Sequence, residues 1–207
     1  MKFRDIAIFN GDRFRVPQCV QRIDHRSTHG WQLRYGGTKL YSDHSSDGSG
    51  AEASLALATK ELVRRIGTME APTTLQRGPS ANKSSELPAG ISGPIMRVRA
   101  GGRGRDCSLA VLLPRFGQAP ARRSVYIATE STYTLAKLAA ALKRAVALRA
   151  EAEAAYRKAA TKARRAEGKA LRQMLAAGEF DKRRRRTAKK TTTPVARASA
   201  AVSTAAA

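Results

Sequence analysis

Aromatic residues make up only 5% of the 207-residue chain. Large rings are the biggest contributors to a core, so any globular unit here has a small one. Acids are scarce as well: 16 Asp and Glu stand against 39 Lys and Arg, for a formal charge of +23. Solubility does not need that excess, which points to a polyanionic partner, nucleic acid before an anionic membrane. No run of about 18 apolar residues is present, so no spanning helix is expected. MKFRDIAIFN at the start lacks the apolar stretch of a signal peptide, and the expected location is cytoplasmic, on the nucleoid. There are two cysteines, Cys19 and Cys107, far apart and without ligand-spaced partners. This pattern suggests reduced core residues rather than a disulfide or metal knuckle. His25, His29 and His44 have no acids or thiols at ligand spacing, so neither metal nor cofactor is expected.

What is present is a pattern that occurs twice. Residues 15–45 read as three strands, VPQCVQRIDHR, GWQLRY and TKLYS, with Gly36-Gly37 between the last two. SGAEASLALATKELVRRIG follows as a helix. Ser49 and Glu52 stand at capping-box spacing, Leu55, Ala58, Leu62 and Ile66 share one face, and Gly67 is a stop signal. After a Pro-, Gly- and Ser-rich linker, 68–90, the order returns: IMRVRAGGRGRDCSLAVLLP supplies two strands and ARRSVYIATE a third. STYTLAKLAAALKRAVAL is the helix, with Leu135, Leu138, Leu142 and Val146 on its expected inner face. The expected fold class is α+β, two small three-stranded antiparallel sheets each with a helix. The expected division is an N-terminal segment 1–14, a first module 15–67, the linker 68–90, a second module 91–148, an Ala-rich basic helix 149–178 and a disordered basic tail 179–207. The long helix outruns one small sheet, so it must project into solvent, fold back, or pair with a second copy in a homodimer.

Period-two geometry sorts the first sheet into faces. The expected inner face is Cys19, Ile23, Trp31, Leu33, Tyr35 and Leu40; the expected outer face is Arg22, Asp24, Arg26, Gln32, Arg34, Lys39 and Tyr41. An open face of this kind suits a nucleic-acid groove: Arg and Gln can pair with base edges, while Lys and Tyr reach phosphates. In the second unit the corresponding residues are Arg97, Arg99, Arg122 and Tyr126. Arg103 and Arg105, in AGGRGRD, form an R-G-R core of the kind that enters a narrow minor groove, although the prolines of a full AT-hook are missing. The tail adds Lys182, Arg183, Arg184, Arg185 and Arg186; no acid follows Asp181. Such composition suits phosphate contacts.

Through VQRIDHR, GWQLRY, TKLYS and AEASLALATKEL the chain resembles the APETALA-two/ethylene-response-factor DNA-binding domain of plants and its bacterial and phage relatives, and the tail resembles basic histone-like tails. The resemblance implies a three-stranded sheet lying in the DNA major groove. It places Arg22 and Lys39 on contact positions, Arg34 near a second-strand contact, and Tyr41 where the family usually has a tryptophan. Asp24 and Arg26 depart from the family pattern, and residues 91–148 match it more weakly, through RSVYIATESTYTLAKLAAAL. The implied function is a non-enzymatic binder of double-stranded DNA, a transcription regulator or nucleoid organiser. RNA or ribosome binding is the alternative, and an accessory role in recombination the next. No H-x-x-R with a downstream tyrosine and no H-N-H run is present to supply catalysis.

Overall fold

In the computed structural model the described residues are 1–76, 78–99, 101–102 and 104–178. The fold is α+β, with one two-stranded and two three-stranded antiparallel sheets and two helices. The small sheet, β1 (Phe3–Ala7) with β2 (Arg13–Pro17), was not anticipated. Asn10-Gly11 is its hairpin signal: the Gly11 amide donates to the Ile8 carbonyl at 2.8 Å. Pro17 ends β2, which splits the single strand expected over 16–26 into the end of β2 and β3 (Val20–His25).

β3, β4 (Thr28–Arg34) and β5 (Thr38–Ser42) form a meander, covered by helix α1 (Ala51–Thr68). Its core joins Phe14 and Val16 of the hairpin to Val20, Trp31 and Leu33 of the sheet and to Leu55, Ala58, Leu62 and Ile66 of α1. Trp31 is fully buried, packs edge-on to Phe14 at 5.8 Å and donates from Nε1 to the Ala51 carbonyl at 2.7 Å. The capping box does not form. Gly50 is the N-cap, and the Ser49 amide turns to Asp47 Oδ1 at 2.9 Å. A side chain at position 50 would run into the Asp43 backbone.

The same order recurs in β6 (Ile91–Val98), β7 (Arg105–Leu113), β8 (Ala121–Thr129) and helix α2 (Leu135–Ala176). Here the expected inner stripe of α2 needs correction. Leu135 is 77% exposed and Val146 42%, whereas Ala141 and Ala145 are buried against Cys107, Leu109 and Val111. Alanine lets the helix lie close to the sheet, and Leu138 and Leu142 flank that contact.

α2 has 42 residues, about 63 Å at 1.5 Å per residue. Its first half covers the second sheet and its second half returns to the first module, where Leu171 joins the core and Gly168 meets Ile66. Residues 69–76 run beside this helix as a strap, where Glu70, Thr73 and Leu75 line a groove with Val146 and Glu153. The Ala71 amide donates to Thr161 Oγ1 at 3.1 Å, and Lys83 Nζ donates to the carbonyls of Leu87, Pro88 and Ile91 at 2.6–2.8 Å. Among the described residues no helix is long and apolar enough to cross a membrane.

Candidate nucleic-acid interface

Residues directly opposite each other on antiparallel strands share a face. In the first sheet Trp31 stands opposite Arg22 on one side and Tyr41 on the other, and Leu33 opposite Val20 and Lys39. Arg22, Lys39 and Tyr41 therefore lie on the helix-covered side with Trp31, and the expected face is reversed for all three. Ile23 and Leu40, expected inside, lie on the open side with Gln32 and Arg34. Strand boundaries displaced by one residue send every side chain of a strand to the other face.

The new position of Arg22 comes with a buried charge cluster. Its side chain is 6% exposed, with Nη2 2.6 Å from Asp43 Oδ2 and 2.7 Å from Asp24 Oδ1. It also lies 5.1 Å from the Trp31 ring. Asp43, fully buried, receives the Ser54 hydroxyl at 2.5 Å. Burial opposes the charge on Arg22, but the hydrogen bonds to Asp24 and Asp43 outweigh it and hold the pKa above the ordinary arginine value. Partial burial of Asp24 is likewise outweighed by Arg22 and His29, which hold its carboxyl below the usual range. Arg22 is thus a structural cation, out of reach of a ligand on the open face.

Lys39 and Tyr41 instead line a groove of about 710 Å³ between the edge of the first sheet, α1 and the end of α2, with Lys60, Arg64 and Arg172 around Leu57. Lys39 Nζ sits 5.1 Å from the Tyr41 ring. Arg26 occupies the β3–β4 turn with a positive φ of 41° rather than the sheet face. Gln32 and Arg34 are on the open face as expected, Arg34 Nε donating to Gln32 Oε1 at 2.6 Å.

The second sheet gathers more of the expected residues. α2 covers the side of Cys107, Leu109 and Val111, and the opposite side is open. Arg97 faces Asp106, Ser108 faces Ile95 and Tyr126, Ala110 faces Ser92 and Ser124, and Leu112 faces Arg122. The middle strand therefore presents Asp106, Ser108, Ala110 and Leu112 to this side; the short pair Ser108 and Ala110 lies between uncharged neighbours, with Arg97 beside one end of the row and Arg122 beside the other. Arg97, Arg99 and Arg122 are exposed and Tyr126 is 48% exposed. Asp106 is the acid on this face, holding Arg99 Nε at 2.8 Å. The face runs about 20 Å from the Arg97 row to the Arg122 row, and three strands are about 10 Å across. A register shift at Cys107/Ser108 lies beside Tyr126. A bulge of this kind sharpens twist and re-aims the neighbouring side chain. Arg105 points to the helix side, 3.7 Å from Glu130, at the base of a tip whose Gly101, Gly102 and Gly104 have positive φ.

Comparison with protein families, curated proteins and solved structures returned no match.

Arg103 and the tail residues Lys182, Arg183, Arg184, Arg185 and Arg186 lie outside the described residues. Among the described residues no three His, Cys, Asp or Glu gather as metal ligands. The Lys60, Arg64 and Arg172 cluster went unnoticed in the sequence because its members come from two helices about 100 residues apart. The cations of α2 could have been found, because Lys158, Lys162, Arg165, Lys169 and Arg172 recur at steps of four and three.

Proposed function

We propose that the chain binds double-stranded DNA through the open face of its second sheet, with the open face of the first sheet as a lesser contact. The observation that supports this most is that Arg97, Arg122 and Tyr126 are exposed on one open face, Tyr126 opposite Ser108 and the two arginines beside the ends of the short Ser108 and Ala110 stretch, with Arg99 exposed next to Arg97. The width of about 10 Å suits a major groove about 12 Å wide, and short central side chains let base edges approach the sheet. Arg122 and Arg97, at opposite ends, are placed for guanine edges or flanking phosphates, and Tyr126 for a phosphate or an apolar base surface. On the first sheet, Gln32 and Arg34 offer paired hydrogen bonds while Ile23 and Leu40 offer contact to thymine methyls. The order of three strands and a helix is the one that the APETALA-two resemblance implies, whereas Arg22, Lys39 and Tyr41, which it puts on contact positions, lie on the helix-covered side of the first sheet. A regulator and a nucleoid organiser both use this chemistry. RNA is the weaker reading, because the deep, narrow major groove of A-form RNA does not admit a three-stranded sheet.

Selection from a random duplex pool tests the reading, with structured RNA as competitor. The parent is expected to enrich a motif and prefer duplex DNA. Arg122→Ala is expected to lose about 1–3 kcal/mol of discrimination at one position of that motif. Enrichment of no motif, or displacement by RNA at equal concentration, would overturn the sheet as a DNA reader.

A further inference from the structure

The outer side of α2 carries five exposed cations in a row: Lys158, Lys162, Arg165, Lys169 and Arg172. Among the described residues none of the five is in an ion pair. Their neighbours Arg157 and Arg164 are committed, to Glu153 at 3.4 Å and Glu167 at 2.7 Å. Glu70, in the strap, is the acid that lines the same groove as Lys158, Lys162, Arg165 and Lys169. From Lys158 to Arg172 the row rises about 21 Å, a cation every 5 Å or so, against one phosphate per 3.4 Å along a DNA strand. The charge density matches a nucleic-acid backbone closely enough for most of these cations to find a phosphate.

Where the row points decides what it can hold. At 3.6 residues per turn, the row lies about 110° around the helix from the positions packed against the first module, Gly168 and Leu171. It lies about 150° the other way from those packed on the second sheet, Leu138, Ala141, Leu142 and Ala145. The open face of the second sheet looks away from α2, so a duplex seated there is on the far side of the sheet. The row looks out through the remaining sector. One straight duplex cannot touch both surfaces.

We propose that this row is a second, sequence-independent duplex site, so that one molecule bridges two DNA segments. The inference rests on the sheet reading for its first segment and on the row for its second. The row offers three lysines and two arginines strung along one convex helix face, a spacing that suits phosphates along a backbone.

The test is a two-duplex capture, using full-length protein, a bead-tethered random duplex and a fluorescent free duplex. The parent is expected to retain the free duplex on the beads. A variant carrying Gln at 158, 162, 165, 169 and 172 is expected to bind the tethered duplex yet retain at least tenfold less of the free one. Each lost phosphate contact removes about 0.9 from the slope of log affinity against log salt, or about 3.5-fold across a fourfold rise in salt. Lys158→Arg/Lys162→Arg/Lys169→Arg, which keeps the charge, is expected to bridge like the parent, and circular dichroism reports folding of both variants. Equal bridging by the Gln variant would overturn the proposal. So would loss of binding to phosphatidylserine vesicles with bridging unchanged, which would make the row a lipid contact. A parent that binds one duplex without capturing a second refutes bridging alone, and a parent that binds no duplex refutes the sheet reading itself.

Discussion

Replacing Arg22 by methionine removes the guanidinium and keeps much of the stem. The consequence falls on Asp43, whose carboxylate has no exposure and loses a cation at 2.6 Å. The Ser54 hydroxyl remains, but one neutral donor does not balance a buried charge. Breaking a buried ion pair by removing one partner costs about 3–5 kcal/mol. For a protein of this size each kcal/mol moves Tm by about 2–4 °C, so the variant is expected to melt roughly 6–20 °C below the parent. Adding Asp43→Asn removes the stranded charge, and the double variant is expected to recover part of the loss. Thermal melts followed by circular dichroism measure both effects, and duplex binding at about 10 °C, where the single variant remains folded, should be close to that of the parent. An Arg22→Met variant that melts like the parent but no longer binds DNA would refute the burial argument and return Arg22 to the open face.

Trp31→Ala removes the largest buried side chain of the first module and its bond to the Ala51 carbonyl, and is expected to cost about 3–5 kcal/mol by urea unfolding. Gly168→Leu drives a side chain into Ile66, since even a Cβ at 168 would lie 2.6 Å from Ile66 Cγ2; overpacking of this kind costs about 1–3 kcal/mol, and Ile66→Ala in the same chain should return most of it. Asp24 and Glu167 both have pKa values held below the carboxylate norm, so each stabilises the fold above the unfolded value and ceases to do so as pH falls through the folded one. The urea midpoint should therefore drop below about pH 4, and the deficit of Asp24→Asn relative to the parent, measured at about pH 7, should shrink as the pH falls.

The strands of the two three-stranded sheets and the α1 core stripe were legible because apolar spacing encodes them directly; the second helix was legible as a helix, but not its inner stripe, since Leu135 and Val146 are exposed and the alanines between them are buried. Trp31, Leu33, Leu55, Leu62 and Ile66 are where periodicity places them. The faces of β3 and β5 were not legible, because alternation leaves two registers and a buried arginine reads as surface. Only the pairing with Asp24 and Asp43, 19 residues apart, makes the inner position acceptable. Residues 3–17 escaped notice because two five-residue strands, each with two charges, look like a polar leader, despite Asn10-Gly11. Distance hid the rest: no neighbouring stretch of sequence says that the missing Cβ of Gly168 is needed by Ile66. On the candidate interface, Arg97, Arg99, Arg122 and Tyr126 were visible as a basic open strand pair, while the groove around Lys39 and Tyr41 depends on which way α2 returns.

That return has a consequence for the order in which the protein can be made. Ile66 and Leu171 share one core, and 105 residues separate them in the sequence. At about 5–20 residues per second, the first module leaves the ribosome some 5–20 s before the helix turn that completes it. During that interval the side of α1 that later receives Gly168 and Leu171 faces water. The N-terminal unit is therefore finished last, and a stall between residues 70 and 160 would release it with part of its core uncovered.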